Sequence, residues 1–137
     1  MRNQREQGTA TLFALALLMI SFALGMALIY FSLSGRSNGE DYYRETQLYT
    51  AAESELRRAA VDVMQNGTDA PSGKIQMRYS MTTDDVTVRV YEKRSNDTVY
   101  LYAYAKPNKD DGWRRHLEMK GYLTKRGDRY VWMGFFL

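Results

Sequence analysis

The chain is 137 residues long and carries 19 basic and 16 acidic side chains, a formal net charge of +3. No basic run exceeds Arg57–Arg58, Arg114–Arg115 or Lys125–Arg126; without a basic stripe in the sequence, no specific nucleic-acid partner is expected. There is no cysteine, which excludes disulfides, thiolate metal sites and a cysteine nucleophile.

The mean hydropathy of −0.51 averages two different solvents. Between Thr9 and Gly35 no side chain is charged, whereas the rest of the chain is dense in Lys, Arg, Asp and Glu. Setting the apolar run aside leaves roughly 100 residues, enough for one small domain with one modest core.

Residues 1–8, MRNQREQG, form a short basic leader. The apolar segment follows at once over residues 9–35. As a helix, Thr9–Leu33 would measure about 38 Å at about 1.5 Å per residue, more than a bilayer core of about 30 Å requires. A soluble domain this small has no means of surrounding a helix that is apolar on every side, so a single transmembrane helix in contact with lipid is expected. Arg2 and Arg5 in the short flank favour a cytoplasmic N-terminus, with residues after about 34 outside the cytoplasmic membrane. An ordinary secretory signal has a shorter apolar region, of about 7–15 residues, although Ser32–Gly35 offers small residues for signal peptidase.

Residues 36–67 read as a second helical stretch. Ser37, Asn38 and Gly39 are placed to loosen or kink the chain, and Glu40 and Asp41 suit the first turn of a resumed helix. Leu48, Ala52, Leu56, Ala59 and Val63 then recur at helical spacing as one apolar stripe. Asn66-Gly67 supplies the stop.

From residue 73 to 137 the period changes to two. Ile75, Met77, Tyr79 and Met81 alternate with polar residues; Val86, Val88 and Val90 follow after the turn at Thr82–Asp85. Val99, Leu101, Ala103 and Ala105 face away from Tyr100, Tyr102 and Tyr104. Two further strands are expected over about 113–125 and 130–137. These strands, separated by polar turns, predict an antiparallel meander whose Val, Leu and Met positions pack on the alanine-rich helix, an α+β fold. The tyrosine row reads as packing or a subunit contact, with a carbohydrate or other ligand as the lesser alternative. The apolar end, Trp132–Leu137, reads as a closing strand tucked into the core.

No catalytic constellation is visible, and no enzymatic activity, cofactor or metal is expected. His116 is the only histidine and falls on an expected solvated strand face. Asp84-Asp85 and Asp110-Asp111 lie in predicted turns, where Asp is favoured for local hydrogen bonds. Oxygen ligands for calcium are present at Asn108–Asp111, but their spacing does not match an EF-hand.

Gly8 followed directly by the apolar run resembles the class III signal of type IV pilins and type II secretion pseudopilins. The resemblance implies cleavage by a leader peptidase between Gly8 and Thr9, N-methylation of Thr9, and retention of the helix. The later stretch Tyr49-Thr50-Ala51-Ala52-Glu53-Ser54-Glu55-Leu56-Arg57 resembles the helix signature of PilX-type minor pilins, carried here by Ala51, Ala52, Glu53 and Leu56. The likeness covers about residues 4–60. Major pilins carry a glutamate at the fifth mature position, where this chain has Phe13; its absence implies a minor, initiating or tip subunit. The implied partners are other pilin or pseudopilin subunits, the leader peptidase, the inner-membrane assembly machinery and membrane lipid. The resemblance also implies a final place in a cell-surface or periplasmic filament. The rival expectation from the same residues is a signal-anchored membrane protein whose sheet domain binds a partner or ligand outside the cytoplasm.

Overall fold

A computed structural model describes the backbone of residues 2–113 and 115–136, and side chains from Gly8 onward within those ranges. Met1, Arg114, Leu137 and the side chains of Arg2 and Arg5 lie outside the described residues. The order of elements is one helix, α1 (Arg2–Asn66), then five strands: β1 (Ile75–Thr82), β2 (Val86–Ser95), β3 (Thr98–Pro107), β4 (Leu117–Arg126) and β5 (Arg129–Phe136). The strands form one antiparallel sheet in sequence order, the expected meander. The chain divides into two compact units, residues 1–43 and 44–137.

Helix α1 runs through Ser37–Gly39 without a break, where the sequence suggested a kink. A helical glycine costs only about 1 kcal/mol relative to alanine, and Arg36 and Glu40, one turn apart across these residues, form an ion pair at 3.6 Å. The helix ends where expected: Gly67 takes a φ of 74°, and its N–H donates to the Val63 carbonyl at 2.9 Å.

In the second unit, the apolar stripe of α1 packs on one face of the sheet. Leu48, Ala52, Leu56, Ala59 and Val63 are all buried, as the spacing predicted. Opposite them lie Val86, Val88 and Val90 of β2, Val99, Leu101, Ala103 and Ala105 of β3, and Leu123 of β4. Alanines on both sides of this interface let helix and sheet approach closely. The larger fully buried side chains, Leu56, Leu101 and Leu123, each contribute about 1.5–3 kcal/mol through burial.

Strand β1 departs from its simple alternation. Its register slips between Met77, opposite Tyr91, and Tyr79, opposite Val90, so Arg78 is the extra residue of a bulge. Before the bulge, Ile75 and Met77 share the face of Lys93 and Tyr91, away from the helix, and are 63 % and 52 % exposed. After it, Tyr79 turns toward the core. Only part of the expected Met burial is seen: Met119 packs partly on the core, Met77 is turned away by the bulge, and Met81 and Met133 remain about two-fifths exposed.

Strand β4 begins at Leu117 rather than near Trp113; among the described residues between β3 and β4, Asp111, Trp113 and Arg115 are tied back to the helix. Within the second unit Arg44 pairs with Asp111 at 2.8 Å and lies over the Trp113 ring at 5.6 Å, and Glu45 pairs with Arg115. Strand β5 is an edge strand and only half enters the core. A second bulge places Tyr122 opposite Gly134 but Leu123 opposite Trp132, so Met133 is extra. Trp132 packs on the core, whereas Val131, Met133 and Phe135 remain about two-fifths exposed, at 39 %, 42 % and 42 %.

Candidate functional site

Three surfaces hold the residues that the sequence singled out. The first is the apolar part of α1. Gly8 and Thr9 lie within the helix and are exposed, and the Thr11 hydroxyl donates to the Gly8 carbonyl at 2.9 Å. Phe13 is 68 % exposed, and Leu12, Leu18, Phe22, Leu28 and Phe31 are exposed to similar degrees around the cylinder. No charged side chain interrupts this surface before Arg36. The helix is long and apolar enough to cross a membrane.

The second is the helix signature. Ala52 and Leu56 are fully buried and Ala51 partly so, all in contact with the sheet-facing core. Glu53 holds the Arg57 guanidinium at 2.7 Å, and Arg57 in turn lies over the Phe135 ring of β5 at 5.6 Å. These residues therefore fasten the helix to the sheet.

Beside the signature sits an ion cluster that no local spacing announced. The β1 bulge turns Arg78 under the helix, where it pairs with Asp62 of α1 and with Glu92 of β2, the latter at 2.6 Å. Glu92 is only 6 % exposed and also accepts from the Thr68 hydroxyl at 3.1 Å. The hydrogen bond from Arg78, then that from Asn66, holds the Asp62 carboxyl below the usual carboxylate range. Burial alone would lower the Arg78 pKa, but the Asp62 hydrogen bond and the Glu92 charge outweigh it and raise it. The neighbouring Tyr79 hydroxyl donates to the Glu55 carbonyl at 3.0 Å; its burial pushes the phenol well above its ordinary value.

The third is the open face of the sheet, turned away from α1. Register places Met77, Tyr91, Tyr102, Lys120 and Phe136 in one row across all the strands. The adjacent row is Ile75, Lys93, Tyr100, Tyr122 and Gly134. Tyr100 and Tyr122 are stacked at 6.3 Å, and the Phe136 ring stands edge-on to Tyr100, Tyr102 and Tyr122 at 5.8, 6.3 and 6.0 Å. The bulge at Met133 brings Phe136 to this face while Phe135 stays with Arg57 on the other. Burial raises the Tyr102 pKa. His116, exposed as expected, precedes β4 and lies over Tyr104 at 5.1 Å.

Of the paired aspartates, Asp111 has a structural role. A backbone N–H from Trp113, with help from Arg44, keeps Asp111 below the ordinary carboxylate range. The Asn108 side chain, a conceivable calcium ligand in the sequence, is engaged elsewhere: its oxygen accepts from the Thr87 hydroxyl and its nitrogen donates to the Thr83 carbonyl, both at 2.6 Å. Among the described residues no group of three or more His, Asp or Glu is placed to hold a metal ion.

Together these features define an α+β protein with a membrane-length apolar N-terminal helix and an antiparallel sheet packed on the helix's C-terminal part, an architecture compatible with a pilin-like fold. No protein-family model, curated protein or solved structure matches the chain.

Proposed function

We propose that this chain is a minor subunit of a type IV pilus-like filament or of a secretion pseudopilus, acting in the filament or in its initiating or tip complex. The observation that carries the reading is a single helix with two surfaces. Its N-terminal part is apolar on all sides and bare, and its C-terminal part is an alanine-rich stripe bearing a sheet. Such a helix rests in lipid as a single pass, N-terminus in the cytoplasm, until assembly machinery transfers it to the helices of neighbouring subunits. Apolar surface then moves from lipid to other apolar helices rather than to water, so the transfer turns on side-chain packing.

The leader 1–8 is removed in this reading by cleavage between Gly8 and Thr9, and Thr9 becomes the methylated N-terminus. Phe13 sets the chain apart from a major subunit. A glutamate there would be costly in lipid without a partner, and a phenylalanine has no need of one. The Ala51, Ala52, Glu53 and Leu56 signature keeps the sheet domain fixed to the helix that enters the bundle, so lateral contacts made by the sheet act on the helix directly.

The test is the intact mass of the protein isolated from its own cells, together with its recovery in sheared filaments. A chain beginning at Thr9 and sedimenting with filaments or an assembly complex is the expected result. A chain beginning at Met1 and found only in membranes would replace this proposal with a signal-anchored binding protein. One beginning near Arg36 would make it a secreted soluble domain.

A further inference from the structure

We propose that the open face of the sheet is a platform for single-stranded nucleic acid, bound without sequence preference. Bases lie against the tyrosine cluster and phosphates against the cations around it. The inference rests on the sheet domain alone and does not depend on filament assembly.

Folding sorts the charges in a way the linear sequence conceals. The strand residues of this face include Arg89, Lys93, Lys106, Lys120, Arg126 and Arg129, against the single carboxylate Glu118, which lies at 3.9 Å from the Lys120 ammonium in a loose, partly exposed pair. The chain as a whole has a net charge of only +3, so this one face is more positive than the entire molecule. The cations interleave with rings. Lys93 pairs across strands with Tyr100, Arg89 with Tyr104, and Lys120 lies between Tyr102 and Phe136. Along β3, Tyr100, Tyr102 and Tyr104 repeat every second residue, about 6.8 Å apart. An extended polyanion with a flat aromatic group on each repeat matches both patterns. Aromatic platforms flanked by basic residues bind single strands because every base has a π-face, and phosphates supply the salt-dependent attraction.

Other occupants match less of the surface. A duplex keeps its bases stacked on one another and presents only phosphates. A neutral sugar leaves the cations unused, and an acidic glycan lacks flat rings. A second copy laid face to face would oppose like charges, which disfavours association.

The experiment uses the full chain in zwitterionic detergent and a fluorescein-labelled 20-nucleotide oligo-dT, with binding read by anisotropy between 50 and 200 mM salt. The expected result is binding that weakens with salt. Removing charge with Lys93→Gln and Lys120→Gln together should flatten the log–log salt slope by about 1.4, roughly 0.7 for each lost phosphate contact. Tyr102→Leu should weaken binding roughly 5- to 150-fold, the range for one lost base–aromatic stack, with the salt slope unchanged. Tyr102→Phe, which keeps the ring and the packing against Phe136, should bind as the parent does. It also serves as the ring test's folding control, while the lysine pair tests the same face without altering any ring. No binding at 50 mM salt overturns the proposal. So does equal or tighter binding of a duplex of the same length. Heparin competing charge for charge while the lysine variant alone loses binding would make the face a general polyanion site, and would overturn it too.

Discussion

Gly121 sits in the middle of β4, buried and facing the helix side of the sheet, with the Trp132 ring of β5 laid across it. A Cβ built there would come within 2.1 Å of one ring carbon of Trp132 and 2.8 Å of the next. Gly121 is not among the positive-φ glycines, so alanine meets no backbone objection and the whole effect is steric. Gly121→Ala therefore has to push the indole off the strand, giving up part of its contact with the core. Overpacking of this kind costs about 1–3 kcal/mol. For a cooperative unit the size of residues 44–137, each kcal/mol lowers Tm by roughly 4–8 °C, so a central cost of about 2 kcal/mol corresponds to a loss of roughly 8–16 °C. The assay is thermal and urea unfolding of the full chain in detergent, followed by tryptophan fluorescence and near-ultraviolet circular dichroism. In a Trp132→Leu background the same substitution should be close to neutral, giving a coupling of about 1 kcal/mol or more in the double-mutant cycle. A cost within about 0.5 kcal/mol of zero in the parent, or an equal cost in both backgrounds, would refute the placement of the ring.

Arg78→Met leaves Glu92 buried and without its cation, and should destabilise the sheet domain by about 3 kcal/mol or more; restoring stability by adding Glu92→Leu would identify the stranded charge as the cause. Asp62 titrates lower in the folded than in the unfolded chain, so its contribution is present above about pH 4 and is lost as pH falls through its folded value. Asp62→Asn should therefore be less stable at neutral pH and lose less stability on acidification, as read by urea midpoints at several pH values. Tyr79 has the opposite sign: its raised folded pKa gives stability present below about pH 10 and lost as pH rises further, and Tyr79→Phe should flatten that alkaline limb. Gly39→Ala, placed in an open position of the helix, should raise helix stability by about 0.4–1 kcal/mol, measurable in the far-ultraviolet melt; a loss of stability would mean that the helix is not continuous there.

Much of this architecture was legible because its signals are local. The stripe from Leu48 to Val63, the stop at Gly67 and the alternation of β2 and β3 each depend on spacing within one element. What escaped depends on register between elements. Nothing in the order Ile75, Met77, Tyr79, Met81 shows that Arg78 is an extra residue, and that one insertion reverses the face of everything before it. The Arg78, Asp62 and Glu92 cluster joins residues 14 and 16 positions apart through that same bulge. The cations of the open face are spread over four strands, and of them only Lys93 and Arg126 fall in a basic run, so a search for such runs passes over the rest. The cleavage and methylation proposed at Gly8 and Thr9 are processing events, which leave no mark on a folded helix. Phe13 is legible only as a departure from a family pattern.

The two bulges have a joint consequence. They fall at Arg78 in β1 and at Met133 in β5, the two outermost strands, while the β2–β3 and β3–β4 pairings run without a shift. An unbroken outer strand offers a ladder of vacant amides and carbonyls on which a neighbour's strand can align and the sheet can grow without limit. Here each border is dislocated by one residue, which throws such a ladder out of step. Copies of this domain are thereby guarded against merging edge to edge into a continuous ribbon, whatever concentration they reach.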